Sequence, residues 1–360
     1  MAVTTIPTAG IADDAVSTTK IADDAVTTAK TSYSAFPFRN LIINGNMSIA
    51  QRGTSFTGVT TSAYHLDRFS TYVSNDGALT VSQSTDAPNG FSNSYKLEVT
   101  TADTSIGSNQ YAQVGHKIEA QNLQHLSYGT SSAKTVTLSF WVKSNKTGTY
   151  CICYSKDDTT RYDYVSEYIV NLANTWEKKV ITIVPDSNIQ ASSGAITNDN
   201  GTGIFLKFIL SAGSGRQGTN NTWNSTVPAD ATSNQVNWLD STSNDFYFTG
   251  VQLEVGTSAS DFEFLPHDVN LQRCQRYCYA WGNYGAGNVD DNRKYSLRYY
   301  TSASFIAIDF PTQMRIEPTV TYSAGGGPAS NDYSNLNGLQ LYDSDSTGWY
   351  IYDVLLEAEL

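Results

Sequence analysis

The stretch Thr135-Val136-Thr137-Leu138-Ser139-Phe140-Trp141-Val142-Lys143 decides the fold class. Its apolar residues alternate with period two, so in an extended chain Val136, Leu138, Phe140 and Val142 share one face, the pattern of a half-buried strand. Outward from it, further strands read at Tyr95 to Val99, Tyr150 to Tyr154, Lys178 to Val184, Ile204 to Leu210 and Phe246 to Val255. Asn89-Gly90 and other glycine-containing breaks separate many of them. This succession predicts an all-β protein built on an antiparallel jelly-roll sandwich.

Composition points the same way. The 360 residues hold 22 basic and 34 acidic side chains, a net charge of −12, and charged residues make up only 16% of the chain, against about 25% in an ordinary globular protein. Ser, Thr, Asn and Gly take their place, with 23 Tyr, 14 Phe and 6 Trp, which suits pleated surfaces and turns. The Lys and Arg residues form no run, so the clustered positive charge that binds phosphate backbones or anionic membranes is lacking, and neither nucleic acid nor membrane insertion is expected. The opening MAVTTIPTAG has no basic segment followed by an apolar one, so no signal peptide is expected, and the protein is read as cytoplasmic or as leaving the cell by a non-secretory route.

Near the start, Ile-Ala-Asp-Asp-Ala-Val occurs at Ile11 to Val16 and again at Ile21 to Val26. A ten-residue unit with two aliphatics cannot form a core alone, because ordering each residue costs about 1–2 kcal/mol and two buried aliphatics return only a few. Either it is a flexible linker, or copies of the chain share Ile11, Val16, Ile21 and Val26 along a common seam. Self-association is the preferred reading. At Pro266 the character changes again: Asp268 can cap a helix on which Val269, Leu271, Cys274, Cys278 and Trp281 follow at helical spacing. Short strands then read at residues 295–300, 305–310, 319–322, 339–342 and 350–355. Three parts result: residues 1–32, a self-associating repeat; residues 33–265, the sandwich; and residues 266–360, a small β-rich unit with one short helix.

These residues resemble a family of bacteriophage tail fibre and receptor-binding proteins. The stretch NLIINGNMSIAQRGTSF (Asn40 to Phe56) followed by Leu66-Asp67-Arg68-Phe69 is similar to the start of that family's jelly-roll module. The resemblance continues at Leu138 to Lys143, at Trp176, at Phe248 to Gly256, at Asp261 to Tyr277 and at Met314 to Thr321, and the Ile-Ala-Asp-Asp-Ala-Val repeat is similar to repeats in fibre shafts. It implies a homotrimeric virion protein, assembled in the host cytoplasm, that joins other tail or adaptor proteins through its N-terminus and binds a host surface glycan. A purely structural virion part is the alternative, and a glycan depolymerase the third reading.

For glycan binding, Trp223 and Trp238 stand out because they lie among Asn, Ser and Thr in the loop-like region Gln217 to Asn244, where an exposed ring beside planar hydrogen-bonding groups suits a sugar. Trimer packing explains them equally well. Loops of the last unit, around Tyr284, Asp290, Trp349 and Tyr350, form the other receptor-facing surface. Trp141 and Trp176 are assigned to core packing. Asp343 and Asp345 offer oxygen ligands for a structural calcium, without the full EF-hand pattern.

Catalysis by paired carboxylates finds only Asp157/Asp158, Asp290/Asp291 and Asp343/Asp345, all in turn-like segments where nothing raises a pKa. His267, Cys274 and Cys278 lack a fourth ligand for a metal site, and Gly213-Ser214-Gly215 and Gly325 to Gly327 lack the context of a phosphate loop. The four cysteines, Cys151, Cys153, Cys274 and Cys278, are expected as packed, reduced thiols.

Overall fold

The computed structural model describes residues 38–282, 295–296, 304–325, 330–343 and 350–360. The repeat residues Ile11, Val16, Ile21 and Val26 lie outside them.

In chain order the first strands are β1 (Ser55–Val59), β2 (Ala63–Tyr64), β3 (Ser70–Ser74), β4 (Ala78–Ser84), β5 (Ser94–Thr101), β6 (Tyr111–Glu119) and β7 (Val136–Ser144). They continue with β8 (Gly148–Lys156), β9 (Tyr162–Val170), β10 (Glu177–Ile183), β11 (Thr202–Ala212), β12 (Thr222–Asn224) and β13 (Asp245–Val255). One sheet runs β1-β4-β5-β13-β7-β10 and is called sheet A below; the other, sheet B, runs β12-β9-β8-β11-β6-β3-β2. Neighbouring strands pair antiparallel throughout. The jelly-roll sandwich read from the sequence is therefore present, and each strand named there coincides with an observed one to within a residue or lies inside a longer one.

The alternation of β7 sets the inside of the sandwich. Val136, Leu138, Phe140 and Val142 are wholly buried, and Phe140 meets Phe208 of sheet B edge-on at 5.0 Å, while Phe208 stacks on Phe248 at 4.7 Å. Such side chains each contribute roughly 1.5–3 kcal/mol by leaving water. Strand β9 escapes a simple apolar scan because Asp163, Ser166 and Glu167 interrupt its tyrosines, yet Tyr162, Tyr164 and Tyr168 alternate inward and are buried.

The Asn40 to Met47 stretch works as a plug. The Asn40 side chain accepts from the Ile42 and Leu253 N–H groups and donates to the Val251 carbonyl, and Asn44 accepts from Ile49 N–H and donates to the Ile49 and Asp67 carbonyls. Gly45 is required there, since a Cβ would lie 2.1 Å from the Val251 carbonyl oxygen. Asp67, Arg68 and Phe69 are also fully buried. The motif that carried the family resemblance is scaffold.

Helix α1 (Ser187–Gln190) is one turn, capped by Asp186, whose Oδ1 accepts from the Asn188 and Ile189 N–H groups at 2.9 and 3.2 Å. Helix α2 (His267–Gln275) begins after Pro266, with Asp268 in its first turn where a negative charge suits the helix dipole. It is shorter than its spacing predicted. Cys278 and Trp281 belong instead to β14 (Cys278–Gly282), because that segment pairs with β20 (Tyr350–Glu357) and the ladder claims its backbone. The remaining strands are β15 (Tyr295–Ser296), β16 (Ser304–Asp309), β17 (Thr319–Gly325), β18 (Ser330–Ser334) and β19 (Gly338–Asp343).

Ionic contacts tie this last unit to the sandwich. Arg52 reaches Glu357 at 2.8 Å and Glu359 at 3.0 Å, Arg68 pairs with Glu359 and lies 3.5 Å above the Tyr277 ring, and Gln51 Nε2 donates to the Cys278 carbonyl at 2.7 Å.

Candidate functional site

The two loop tryptophans are core residues, which overturns their reading as an exposed sugar platform. Trp223 is 4% exposed, lies against Tyr154 and Tyr164, and donates its indole N–H to the Val184 carbonyl at 2.9 Å. Trp238 has no exposed surface and donates to the Asp245 carbonyl at 3.1 Å. Their polar neighbours misled because the loop is itself amphipathic: it folds back on the sandwich and turns most of its Asn and Ser residues, Asn220, Asn221, Ser225, Ser233 and Asn234 among them, outward.

Tyr284, Asp290, Asp291, Asp345 and Trp349 lie outside the described residues, and so do the side chains of Asp343 and Tyr350, whose backbones belong to β19 and β20. Asp157 and Asp158 are engaged separately. Asp157 faces Arg161 at 3.9 Å, and Asp158 accepts from the Thr197 hydroxyl at 2.8 Å. His267 is exposed while Cys274 and Cys278 are buried, and among the described residues the three form no group that could share an ion. All four cysteines are free and buried, as expected of packed thiols.

Outside sheet B, the chain between β11 and β13 forms a cover. Its Ala229 and Ala231 close over Cys151, Cys153, Val165 and Ile209. Beneath it, ligand atoms of Cys153, Asp163 and Asp230 lie within 4.8 Å of one another, the one such group among the described residues. Cations already fill it. Lys207 Nζ donates to Asp230 Oδ1 at 2.9 Å, Arg216 pairs with Asp230 Oδ2 at 2.5 Å, and Arg161 grips both Asp163 oxygens at 2.9 Å. Burial alone raises the Asp163 carboxyl, but Lys207 and Arg161 outweigh it and hold it below the usual carboxylate range. Burial also pushes the Cys153 thiol far up, which opposes the thiolate a metal needs. The cluster is a closed, charge-paired brace.

Sheet A presents the opposite picture. On its outer side Trp141 stands between Lys178 of β10 and Thr249 of β13, and Lys143 stands beside Tyr247. Trp141 and Trp176 are both partly exposed, which corrects their assignment to the core. The alternation that places Phe140 inside places Trp141 outside by parity; that was the available signal.

Around Trp141, Phe91, Phe262 and Phe264 form a shallow cavity of about 380 Å3 whose polar lining includes Asn89, Ser139, Lys178 and Asp261. The three phenyl rings support one another, with centroids 4.8–5.2 Å apart, and Phe264 is 54% exposed. Gly250, at φ +63°, makes room for them, since a Cβ there would come within 2.7 Å of the Phe91 ring and 3.1 Å of Trp141. Next to this cavity Lys143 lies 4.4 Å above Tyr247 and 5.4 Å above Trp176, and it pairs with Asp86, which also accepts the Trp176 indole N–H at 3.1 Å. Lys96 similarly pairs with Glu98 at 2.8 Å. Ring faces beside amide, hydroxyl and balanced charged groups can stack on an apolar sugar face while bonding its hydroxyls.

Comparison with solved structures finds similarity to a Bacteroides thetaiotaomicron protein described as sugar-binding, at 13% identity over 60% of this chain and 100% of that one, with a TM-score of 0.34. The family 11 carbohydrate-binding module of a Clostridium thermocellum cellulosomal cellulase aligns at 10% identity over 56% and 98%, with a TM-score of 0.30. The N-terminal cellulose-binding domain of Cellulomonas fimi β-1,4-glucanase C aligns at 12% identity over 53% and 90%, with a TM-score of 0.27. Likeness at this distance assigns neither ligand nor site. No protein-family model matches the sequence, and no curated protein matches it.

Proposed function

We propose that the protein is a glycan-binding tail fibre or receptor-binding component of a phage virion, and that the outer face of sheet A is its sugar surface. The carrying observation is the half-open cavity of Trp141, Phe91, Phe262 and Phe264 with its polar lining. The fibre part of this reading rests on the ordered motifs and the N-terminal repeat of the sequence. It gives the chain three partners: two copies of itself, another tail or adaptor protein at the N-terminus, and a host surface glycan.

The site suits a neutral sugar, because its lining carries one cation and one anion, Lys178 and Asp261, and the neighbouring Lys143 and Lys96 are already paired with Asp86 and Glu98. Its work is binding. A shallow site of this kind binds at about millimolar strength, and three on one fibre, with several fibres on one particle, multiply that through effective concentration.

The test is retention of the purified full chain on host polysaccharide, alongside its Trp141→Ala variant and an assay for released reducing ends. Retention by the native chain that is lost in the variant, without new reducing ends, supports the proposal. Equal retention removes sheet A from it, and released ends would make the protein a depolymerase.

A further inference from the structure

A second and larger cavity, about 630 Å3, lies where α2 meets the edge of the sandwich. Leu41, Ile43, Ile118, Val255 and Tyr277 give it apolar walls, and Asn122 and His125 stand exposed among its lining. Four cations also line it, and three are engaged. Arg39 donates to Ser260 Oγ at 2.8 Å and sits 3.4 Å from Glu254, Arg276 grips Glu119 at 2.7 and 2.9 Å, and Lys117 donates to the Leu360 carbonyl oxygen at 2.9 Å.

Arg273, on α2, is the exception. Among the described residues it has neither a hydrogen bond nor an ion pair, although it is half-buried and burial pushes its pKa down. His116, also in the lining, is part of the cavity wall. Its Nε2 accepts from the Ile43 N–H at 3.2 Å, and its Nδ1 is shut off from the open space, so the imidazole offers an occupant no polar contact. A guanidinium half-withdrawn from water with no protein acceptor of its own points to an occupant that brings one.

We infer that this cavity binds a carboxylate-bearing sugar, a uronic acid residue, with its carboxylate on Arg273 and its ring against the apolar walls. A guanidinium fork matches the two oxygens of a carboxylate. The volume falls within the usual range of about 300–1,000 Å3 for small-ligand sites. The chain's net charge of −12 does not forbid it, because charges beyond about 8–10 Å are screened at physiological salt while Arg273 acts at contact. The site is independent of the sheet A surface.

The experiment titrates the full chain with methyl β-D-glucuronide and with methyl β-D-glucoside, by calorimetry and saturation-transfer NMR. The glucuronide should bind at least tenfold more tightly than the glucoside. Arg273→Gln should remove about tenfold or more of that preference, Arg273→Lys should restore only part of it, and the melting temperature of both variants should stay near the native one. Equal binding of the two glycosides overturns the proposal, and so does a preference that survives Arg273→Gln. Binding of a synthetic Ile-Ala-Asp-Asp-Ala-Val peptide in place of the glucuronide also overturns it, since the acceptor would then be the chain's own repeat. Retention on neutral polysaccharide is read separately and reports on sheet A alone.

Discussion

The outer faces of the two sheets differ more than their shared interior suggests. Both sheets turn alternating apolar residues toward one core, but the outer face of sheet B is covered by the chain between β11 and β13 and braced by the Lys207–Asp230 and Arg161–Asp163 pairs, whereas sheet A leaves Trp141, Trp176 and Phe264 accessible. Strand alternation says only that a residue is out. Whether outward means solvent, a covering loop or a ligand depends on chain far away in sequence. An apolar patch left open after such covering is where interaction is expected.

The strongest test of this contrast attacks the brace. Asp230→Ala leaves Lys207, 2% exposed, without its nearest carboxylate, and stranding a buried charge costs about 3–5 kcal/mol. Urea denaturation should show that loss. A change under 1 kcal/mol would mean that the cover over sheet B is dispensable and that the two faces do not differ in role.

Acid probes the same side. Burial, reinforced by Arg52, lowers His65 to a pKa of about 4, and His116 of β6 is held well below 6.5 for the same first reason. Both are neutral when folded and take up a proton on unfolding below pH 6.5, so stability is full above that value and falls as pH drops toward 4. For His65 alone the loss is roughly 3 kcal/mol. The sheet A cavity is lined by no histidine, so His65→Gln should remove the His65 share of the pH dependence of melting between pH 4 and 6.5, leaving that of His116, without changing glycan retention.

On sheet A the effects should reverse. Trp141→Ala removes a partly exposed ring on the outer face, so it should shift stability by no more than about 1 kcal/mol while costing tenfold or more in glycan affinity. Denaturation and retention assays on the same preparation separate the two quantities. A large stability loss with unchanged retention would place Trp141 in the scaffold after all.

Much of the sandwich was legible because β7 alternates and its inward Val136, Leu138, Phe140 and Val142 are buried, while β11 and β13 read as longer apolar stretches and are buried along nearly their whole length. The site was not. Trp223 and Trp238 looked exposed because their sequence neighbours are polar, yet each ring finds a carbonyl for its indole N–H and a buried slot at the sandwich edge. Trp141 looked like core because it sits inside an apolar run, although its parity already opposed that. The cavity also needs Phe262 and Phe264, which follow β13 and reach Phe91 only through the fold. Cys278 shows the same limit: its helical spacing from Cys274 is real, but pairing with Glu357 of a distant strand decides its conformation.

The smallest expected effect separates a sugar surface from a seam between chains. Val180 lies on β10, at the edge of sheet A, on the same side as Trp141, and is 52% exposed. A charge placed there meets water in an isolated chain, so Val180→Glu should change stability by no more than about 0.5 kcal/mol. In a trimer packed through this face, three such carboxylates would lose their water and repel one another, and the assembly would weaken far beyond that. Sedimentation of the native chain and the variant reads the difference. Unchanged mass keeps sheet A as the open face, and dissociation would turn the aromatic patch from a receptor surface into an assembly interface.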